Sequence, residues 1–290
     1  MADPASNAPF AGANALIFGS AKGIGKGVAL EWARRGARLI IADIDPAAAA
    51  ETAAEIERAG GKAVAVKADV TSDESMAAAA AAAEAAFGEI TILMNNVGAA
   101  LTGNPQDIPL GEWRRITELN YFGILRALDI FLPRFLARGS GHIVNTASFA
   151  GLYPYAISRM PYVASKAAVI ALTESLAIYL EPKAIRVSCL MPGPVKTDIL
   201  ASHTSWSKDC VLVGPGTEFA MLQPADVAVT LSDGMRDGAI LIPTHEQVWS
   251  TVKRWAQSPD AFLRAKIADY ARGDFGRPPM PGEGAAGDKA

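Results

Sequence analysis

The chain has 290 residues, half of them hydrophobic, so it is long enough for one large domain with a substantial core. Its formal net charge of −3 and its pI near 5.7 argue against a nucleic-acid partner, because no cluster of Lys and Arg offers a stripe for phosphates. Two cysteines make no disulfide framework, no apolar run approaches the length of a membrane-spanning helix and no secretory signal pattern opens the chain, so we expect a cytoplasmic protein without a membrane partner.

A glycine-rich turn between a strand and a helix is the first chemical signal. Residues 1–11 are rich in Ala, Pro and Asn and are expected to be a mobile leader. An apolar run at 15–18 predicts a buried strand, and a helix is predicted from about 26 to 35. Glycines between them let backbone N–H groups approach a pyrophosphate at the helix N-terminus. The residues of this turn predicted to bind a cofactor are Gly19, Ser20, Lys22, Gly23, Ile24 and Gly25.

The second predicted strand ends at Asp43, which is followed by Ile44. A carboxylate at this position can accept hydrogen bonds from the adenosine ribose and would repel a 2′-phosphate, so Asp43 favours NAD over NADP. Its alternative role is to cap the next helix, which Asp45 could do without it. We therefore predict that Asp43 and Ile44 lie in a cofactor site for NAD.

Strands and helices alternate through the first two-thirds of the chain. The predicted strands lie at 15–18, 37–42, 63–68, 90–94, 142–148, 185–190 and 239–243, and the predicted helices between them include 46–59, the Ala-rich 76–87 and 224–238. This pattern predicts an α/β fold with a single domain over residues 12–243. We expect a doubly wound (Rossmann) parallel sheet of about seven strands, with helices on both faces and the ligand at the carboxyl ends of the strands.

Tyr162 and Lys166 lie four residues apart in a predicted helix, which places them on one face. A phenol ionises near pH 10, and an adjacent cation favours the phenolate and lowers its pKa toward the working range. The alternative is an ordinary helix surface that carries one Tyr and one Lys. The flanking sequence favours the first interpretation, because a β-branched strand upstream ends in the hydroxyl of Ser148 and Asn120 lies on a predicted amphipathic helix over 109–138.

With these residues the chain resembles the short-chain dehydrogenase/reductase family, from about residue 12 to about residue 243. The resemblance implies that Tyr162 is the general acid/base and that Lys166 lowers its pKa and holds the nicotinamide ribose. It also implies that Ser148 polarises the substrate carbonyl and that Asn120 holds a water in the proton path. The segment 152–161 is one residue longer than its usual counterpart, which affects the shape of the substrate-side loop.

The resemblance extends the predicted cofactor site. It places Asp69 and Val70 against the adenine, although Asp69 could equally cap a strand end. Lys22 occupies a position where NADP users of the family often have a basic residue, but a solvated lysine should count for less than Asp43 at the ribose. The cofactor residues that the resemblance adds are Asp69, Val70, Asn96, Val97, Gly98, Tyr162, Lys166, Pro192, Gly193, Val195 and Thr197. For the last four, the alternative is a plain turn that leaves the strand.

The substrate side is predicted to be apolar. Residues 198–222 form a long, largely apolar segment of the kind that often covers a binding site. The predicted substrate contacts are Tyr153, Tyr155, Trp206 and Phe219, which favour a hydrophobic or aromatic alcohol or ketone. His142, His203 and His245 lack metal-ligand spacing, so we predict no metal.

Residues 244–272 carry apolar side chains at near-helical spacing and predict a C-terminal helical extension, followed by a disordered Gly/Pro-rich tail over 273–290. We expect the extension to pack on its own domain; the alternatives are that it covers the active site or reaches a neighbouring subunit. The extension is loosely similar to that of family members that act on aryl alcohols. The resemblance also implies a homodimer or a homotetramer.

The predicted function is reversible hydride transfer between NAD and a secondary alcohol/ketone pair. One alternative is an NADPH-dependent carbonyl reductase of a biosynthetic pathway, with the cofactor recruited by Lys22. Another is a dinucleotide-binding regulatory protein without turnover, since a fold does not determine a function. The presence of Asn120, Ser148, Tyr162 and Lys166 together argues against the second alternative.

Overall fold

A seven-stranded parallel sheet organises the computed structural model, which describes residues 9–197, 199 and 204–277. The strands are β1 (Asn14–Phe18), β2 (Arg38–Asp43), β3 (Lys62–Lys67), β4 (Ile92–Asn95), β5 (Gly141–Thr146), β6 (Ile185–Met191) and β7 (Leu241–Pro243). Their order is β3-β2-β1-β4-β5-β6-β7, and neighbouring strands pair in parallel. The order in which strands are added reverses between β1 and β4: β1 to β3 lead to one edge of the sheet, and β4 to β7 lead to the other. Ligands bind at this reversal in such folds.

Helices cover both faces of the sheet, which confirms the predicted doubly wound fold. They are α1 (Gly23–Arg34), α2 (Pro46–Arg58), α3 (Asp73–Phe87), α4 (Leu110–Thr117), α5 (Gly123–Arg138), α6 (Phe149–Leu152), α7 (Met160–Leu180), α8 (Pro224–Arg236), α9 (Val248–Gln257) and α10 (Pro259–Ala271). One core cluster joins α1, α2 and α8 to the sheet, and a second joins α3, α5 and α7 to its other face. The indole of Trp32 ties α1 to α8 by donating to the Ser232 hydroxyl at 3.1 Å.

Local capping explains where two of these helices begin. Asp45 accepts a hydrogen bond from the Ala48 backbone N–H at 3.1 Å and caps α2, whose first residue is Pro46. Ser72 caps the Ala-rich α3 in the same way, and a row of small side chains on α3 packs against the sheet. Because Asp45 caps α2, Asp43 is not needed for that role.

The pattern over 109–138 does not form one uninterrupted helix. A wider π-helical turn, Glu118–Phe122, separates α4 from α5, and Asn120 lies within it. A turn of this kind adds a residue without ending the helix, so hydrophobic periodicity alone does not reveal it, and it frequently marks a functional position.

The prediction that no apolar run approaches the length of a membrane-spanning helix was wrong. The helical stretch Ile157–Lys183, which contains α7, is long and apolar enough by length and composition to span a bilayer. In the fold α7 packs against α6 and β6, and its buried face includes Tyr162 and Lys166. The apolar composition of α7 therefore matches a helix that packs on a sheet.

Both ends of the described chain are packed more closely than the composition suggested. Phe10, in the predicted mobile leader, is fully buried against Trp32 with ring centroids 5.5 Å apart. Residues 274–277, here called the C-terminal strap, were expected to be disordered but lie along the segment 212–216. The Gly214 N–H donates to the Phe275 carbonyl at 2.7 Å, and the Gly216 N–H donates to the Gly276 carbonyl at 2.9 Å. Composition did not predict these contacts, because a single aromatic side chain or two backbone hydrogen bonds leave little trace in it.

The rest of the predicted leader and tail, residues 1–8 and 278–290, lies outside the described residues, as do residues 198 and 200–203 of the predicted substrate-side segment. The predicted C-terminal extension contains α9 and α10. These helices contact each other, and Phe262 of α10 packs edge-on against Tyr153 with centroids 6.4 Å apart.

Candidate active site

A cavity of about 710 Å³ opens at the carboxyl ends of the central strands. Its volume is in the range of ordinary cofactor and ligand sites. The predicted cofactor residues that line it are Gly19, Lys22, Gly23, Ile24, Asp43, Ile44, Asp69, Val70, Asn96, Val97, Gly98, Tyr162, Lys166, Pro192, Gly193, Val195 and Thr197. Residues from six different loops and helix starts thus meet in one place, as the carboxyl edge of a parallel sheet requires.

The glycine-rich turn is built so that its backbone faces this cavity. Gly19 and Gly23 have φ values of +78° and +56°, which L side chains rarely adopt. A Cβ at Gly25 would overlap the Gly19 carbonyl oxygen, so Gly25 allows α1 to pack against the turn. Ser20 is fully buried and donates to the Ile17 carbonyl at 2.7 Å. Ser20 and Gly25 therefore hold the turn in shape, and they do not line the cavity.

Two backbone hydrogen bonds fix the Asp43 carboxylate at the end of β2, beside the glycine-rich turn. One of its oxygens accepts from the Ala21 N–H at 3.0 Å and the other from the Asp45 N–H at 3.2 Å. Lys22 pairs with Asp45, with Nζ 3.4 Å from Oδ2 and 68% of the side chain exposed. Both Asp43 and Lys22 line the cavity, and the Asp43 carboxylate is held by two backbone N–H groups whereas Lys22 is held by one exposed ion pair.

Tyr162 and Lys166 lie on successive turns of α7 and face Ser148, which follows β5. All three line the cavity, and the Ser148 hydroxyl acts to lower the pKa of Tyr162. Lys166 is almost fully buried and donates to the Thr146 carbonyl at 2.7 Å, with Nζ 5.8 Å from the centroid of the Tyr162 ring. Gly98 leaves the space above this ammonium, since a Cβ there would lie 3.2 Å from Nζ.

Asn120 is completely buried and lies behind these groups instead of lining the cavity within the described structure. Its side chain pairs with the Ala99 backbone, donating to the carbonyl at 3.0 Å and accepting from the N–H at 2.9 Å. It also donates to the Ser165 hydroxyl at 3.0 Å, which in turn donates to the Tyr162 carbonyl at 2.8 Å. The structure therefore links Asn120 to the backbone of α7 at Tyr162.

Burial dominates the ionisation of both central groups. It raises the pKa of Tyr162, while the hydrogen bond from Ser148 and the charge of Arg159 act in the opposite direction. It also lowers the pKa of Lys166 to about 8, although nearby Cys189 opposes this change. In the protein without its cofactor the loss of water outweighs these favourable contributions, and the role of Lys166 in lowering the pKa of Tyr162 stays a prediction.

Of the four predicted substrate residues, only Trp206 lines this cavity. Tyr153 is buried beside it and donates to the Pro215 carbonyl at 3.0 Å. Phe219 is buried edge-on against Phe149, with ring centroids 5.3 Å apart. Tyr155 lines a second cavity of about 440 Å³ between the segment 212–218 and α10. The prediction failed for Tyr153 and Tyr155 because these side chains turn back into the core after Ser148. There they contact the segment 212–218.

Several residues at the cavity were missed from the sequence. Ile199 and Thr204 line it from the predicted substrate-side segment, and Glu112 and Arg115 of α4 line it as an ion pair with a 2.7 Å contact. The i, i+3 charges beside the apolar stripe of α4 were the available signal. The Thr146 carbonyl that holds Lys166 has no such signal, since any residue supplies a backbone carbonyl.

Within the described ranges, no group of three or more His, Cys, Asp or Glu residues could hold a metal, and His203 lies outside them.

Comparison with known proteins agrees with this geometry. The sequence matches the short chain dehydrogenase family over residues 13–208. It is 37% identical over 236 residues to a cyclohexanol dehydrogenase of Acinetobacter sp. (strain SE19), covering 81% of this chain and 92% of the relative. It is 34% identical over 209 residues to a 7alpha-hydroxysteroid dehydrogenase of Escherichia coli (strain K12), covering 72% of this chain and 78% of the relative.

A solved structure has the same fold. The crystal structure of a short chain dehydrogenase/reductase from Burkholderia phymatum in complex with NAD superimposes with a TM-score of 0.74 at 28% identity, covering 94% of this chain and 99% of the other. The family match spans more than half of the present chain, and its segment contains Ser148, Tyr162 and Lys166 in one cavity. The chain therefore belongs to the short chain dehydrogenase family and is a nicotinamide-dependent oxidoreductase of alcohols and ketones.

Proposed function

We propose that this protein interconverts a cyclic, largely apolar secondary alcohol and its ketone with NAD as the cofactor. The observation that carries the proposal is that Ser148, Tyr162 and Lys166 line one cavity, where the Ser148 hydroxyl favours the ionised form of Tyr162. Two hydroxyls that converge on one point can hold a substrate oxygen and move its proton.

Each side chain has a defined task in the oxidative direction. Tyr162, as the phenolate, accepts the proton of the substrate hydroxyl. Ser148 donates a hydrogen bond to the oxygen on which negative charge develops. Lys166, oriented by the Thr146 carbonyl, would hold a ribose hydroxyl of the cofactor, and it adds positive charge near the phenol. The nicotinamide ring, when bound, supplies the hydride acceptor and in its oxidised form a further positive charge. The role of Asn120 in holding a water for the departing proton remains our prediction.

NAD is the preferred cofactor in this proposal. The residues present fit a dinucleotide, because the turn at Gly19–Gly25 leaves backbone N–H groups at the start of α1 without a side-chain cap. The fixed Asp43 carboxylate suits a ribose with two free hydroxyls and disfavours a 2′-phosphate. Lys22, the residue that favours the NADPH alternative, pairs with Asp45. The related structure from Burkholderia phymatum contains NAD.

The substrate class follows from the remaining cavity wall. Trp206, Ile199 and Ala100 present apolar surface at the cavity that contains Ser148. The names of two relatives, a cyclohexanol dehydrogenase and a 7alpha-hydroxysteroid dehydrogenase, both denote alcohols on saturated rings. A ring of this kind buries more apolar area against Trp206 than a short open chain does, and buried area favours its binding.

Absorbance of reduced nicotinamide tests the proposal directly. With NAD we expect kcat/KM for cyclohexanol to exceed that for a short open-chain secondary alcohol by about tenfold or more, because ring methylenes contribute to binding in an apolar site. A benzylic secondary alcohol distinguishes saturated from aromatic rings, and Trp206→Ala should remove most of the preference for a ring. Equal kcat/KM values for cyclic and open-chain alcohols would contradict the proposed substrate class. No turnover of any alcohol or ketone would contradict the proposed function.

We also propose that the protein is a homodimer or a homotetramer in the cytoplasm. Exposed apolar side chains on two helices support assembly: Phe122 and Leu136 at α5, and Ile178 and Tyr179 at the end of α7. Light scattering after gel filtration should give two or four times the 30.3 kDa of one chain. Ile178→Asp should shift the mass toward one chain, and a wild-type protein with the mass of a single chain would contradict the proposal.

A further inference from the structure

Arg159 lies at the junction between the Tyr162 helix and the segment that follows Trp206. It is the residue immediately before α7, and Tyr162 lies in the first turn of that helix. Its guanidinium donates to the Val213 carbonyl at 3.1 Å and lies over the Tyr155 ring, 5.9 Å from the centroid. Its Nε atom is buried without a hydrogen-bond partner among the described residues. Arg159 is thus held by two contacts while one of its donors stays unused.

The same guanidinium acts on the ionisation of its neighbours. Its positive charge opposes the burial that raises the pKa of Tyr162, and it also opposes the burial that raises the pKa of Tyr155 to about 12. The other groups that face Tyr162 are Ser148 and Tyr155, which are neutral, and the Lys166 ammonium. Cys189, next to Lys166, is also neutral because burial raises its pKa to about 12. Arg159 is therefore the cation whose charge opposes the raised pKa of this phenol, and the Lys166 ammonium lies 5.8 Å from the centroid of its ring.

We propose, on the basis of the function proposed above, that Arg159 is a positioning residue of the reaction: held between the Val213 carbonyl and the Tyr155 ring, it stabilises the Tyr162 phenolate and couples it to the segment 212–216. Arg159 does not line the main cavity, so it acts through Tyr162 instead of touching the substrate. The coupling extends outward, because the backbone of Gly214 and Gly216 in the same segment is paired with the C-terminal strap.

The pH dependence of kcat/KM tests the proposal. Oxidation requires the phenolate, so removing a nearby positive charge raises the pKa of Tyr162 and moves the acidic limb of the profile to higher pH. In Arg159→Met we expect this shift and a loss of about three- to tenfold in kcat/KM at neutral pH, with an unchanged Kd for NAD. Arg159→Lys keeps the charge and should restore most of the wild-type profile.

Arg254→Met is the matched control, because Arg254 of α9 acts on the pKa of Tyr153 and lies at the second cavity. We expect its profile to follow that of the wild type. A limb that stays in place in Arg159→Met, or a uniform loss at every pH that Arg159→Lys does not restore, would overturn the proposal. If the wild type turns over no alcohol, the proposed function fails. NMR titration of ¹³C-labelled tyrosine, assigned with Tyr162→Phe, would then still decide whether Arg159→Met raises the pKa of Tyr162.

Discussion

Tyr162→Phe is expected to lower kcat for alcohol oxidation by about a thousandfold and to leave the Kd for NAD within about twofold. The substitution removes one hydroxyl, the group that accepts the substrate proton, while the ring still packs in the core. The measurement is the formation of reduced nicotinamide beside calorimetric binding of NAD. Because the phenyl ring fills the same space, the melting temperature should change little.

Tyr179→Phe is the matched control for this variant. Tyr179 lies on the same helix, about half exposed and away from the cavity, so the same chemical change there should leave kcat unaltered. Full activity of Tyr162→Phe would exclude the phenol as the proton acceptor. Loss of activity in both variants would point to damage of α7 and not to chemistry.

Asp43→Asn is expected to weaken NAD binding by about ten- to a hundredfold and to improve the relative affinity for NADP by a similar factor. A hydrogen bond to a charged group contributes about 1.5–3 kcal/mol, and the neutral amide no longer repels a 2′-phosphate. The amide oxygen can still accept one of the two backbone bonds from Ala21 and Asp45, so the turn should keep its shape. Calorimetric titration with each dinucleotide gives both affinities.

Asp45→Asn separates the effect of a lost charge from the effect of Asp43 itself. This substitution frees Lys22 from its ion pair but keeps a capping side chain at the start of α2. We expect at most a small gain in NADP affinity, since an exposed lysine contributes little. A larger switch in Asp45→Asn than in Asp43→Asn would mean that Lys22, and not Asp43, selects the cofactor.

The sheet and the cofactor side could be predicted because their signals are local in the chain. Apolar runs of strand length alternated with helical patterns, and the glycine spacing between β1 and α1 has a meaning that does not depend on distant residues. Asp43 could be assigned because it ends a strand at the edge where ligands bind. In each case a few consecutive residues were enough to make the prediction.

The substrate side could not be predicted because its contacts join distant parts of the chain. Tyr153 and Phe219 looked like cavity residues, but their positions depend on Pro215 and Phe149, which belong to separate segments. The π-helical turn at Asn120 left no trace in the hydrophobic pattern. The pKa of Tyr162 is raised by burial within the folded core, and the spacing of Tyr and Lys in the sequence does not reveal how deeply either is buried.

The C-terminal strap has a consequence for the order in which the protein is completed during synthesis. Every strand of the sheet, together with Ser148, Tyr162 and Lys166, precedes residue 244 in the chain. Domains fold from the N-terminus as they emerge from the ribosome, at about 5–20 residues per second. The dinucleotide side of the cavity can therefore form on a nascent chain while the segment 212–216 still awaits Phe275 and Gly276. A partly synthesised chain would thus offer its dinucleotide site before the backbone pairing of the segment 212–216 is complete.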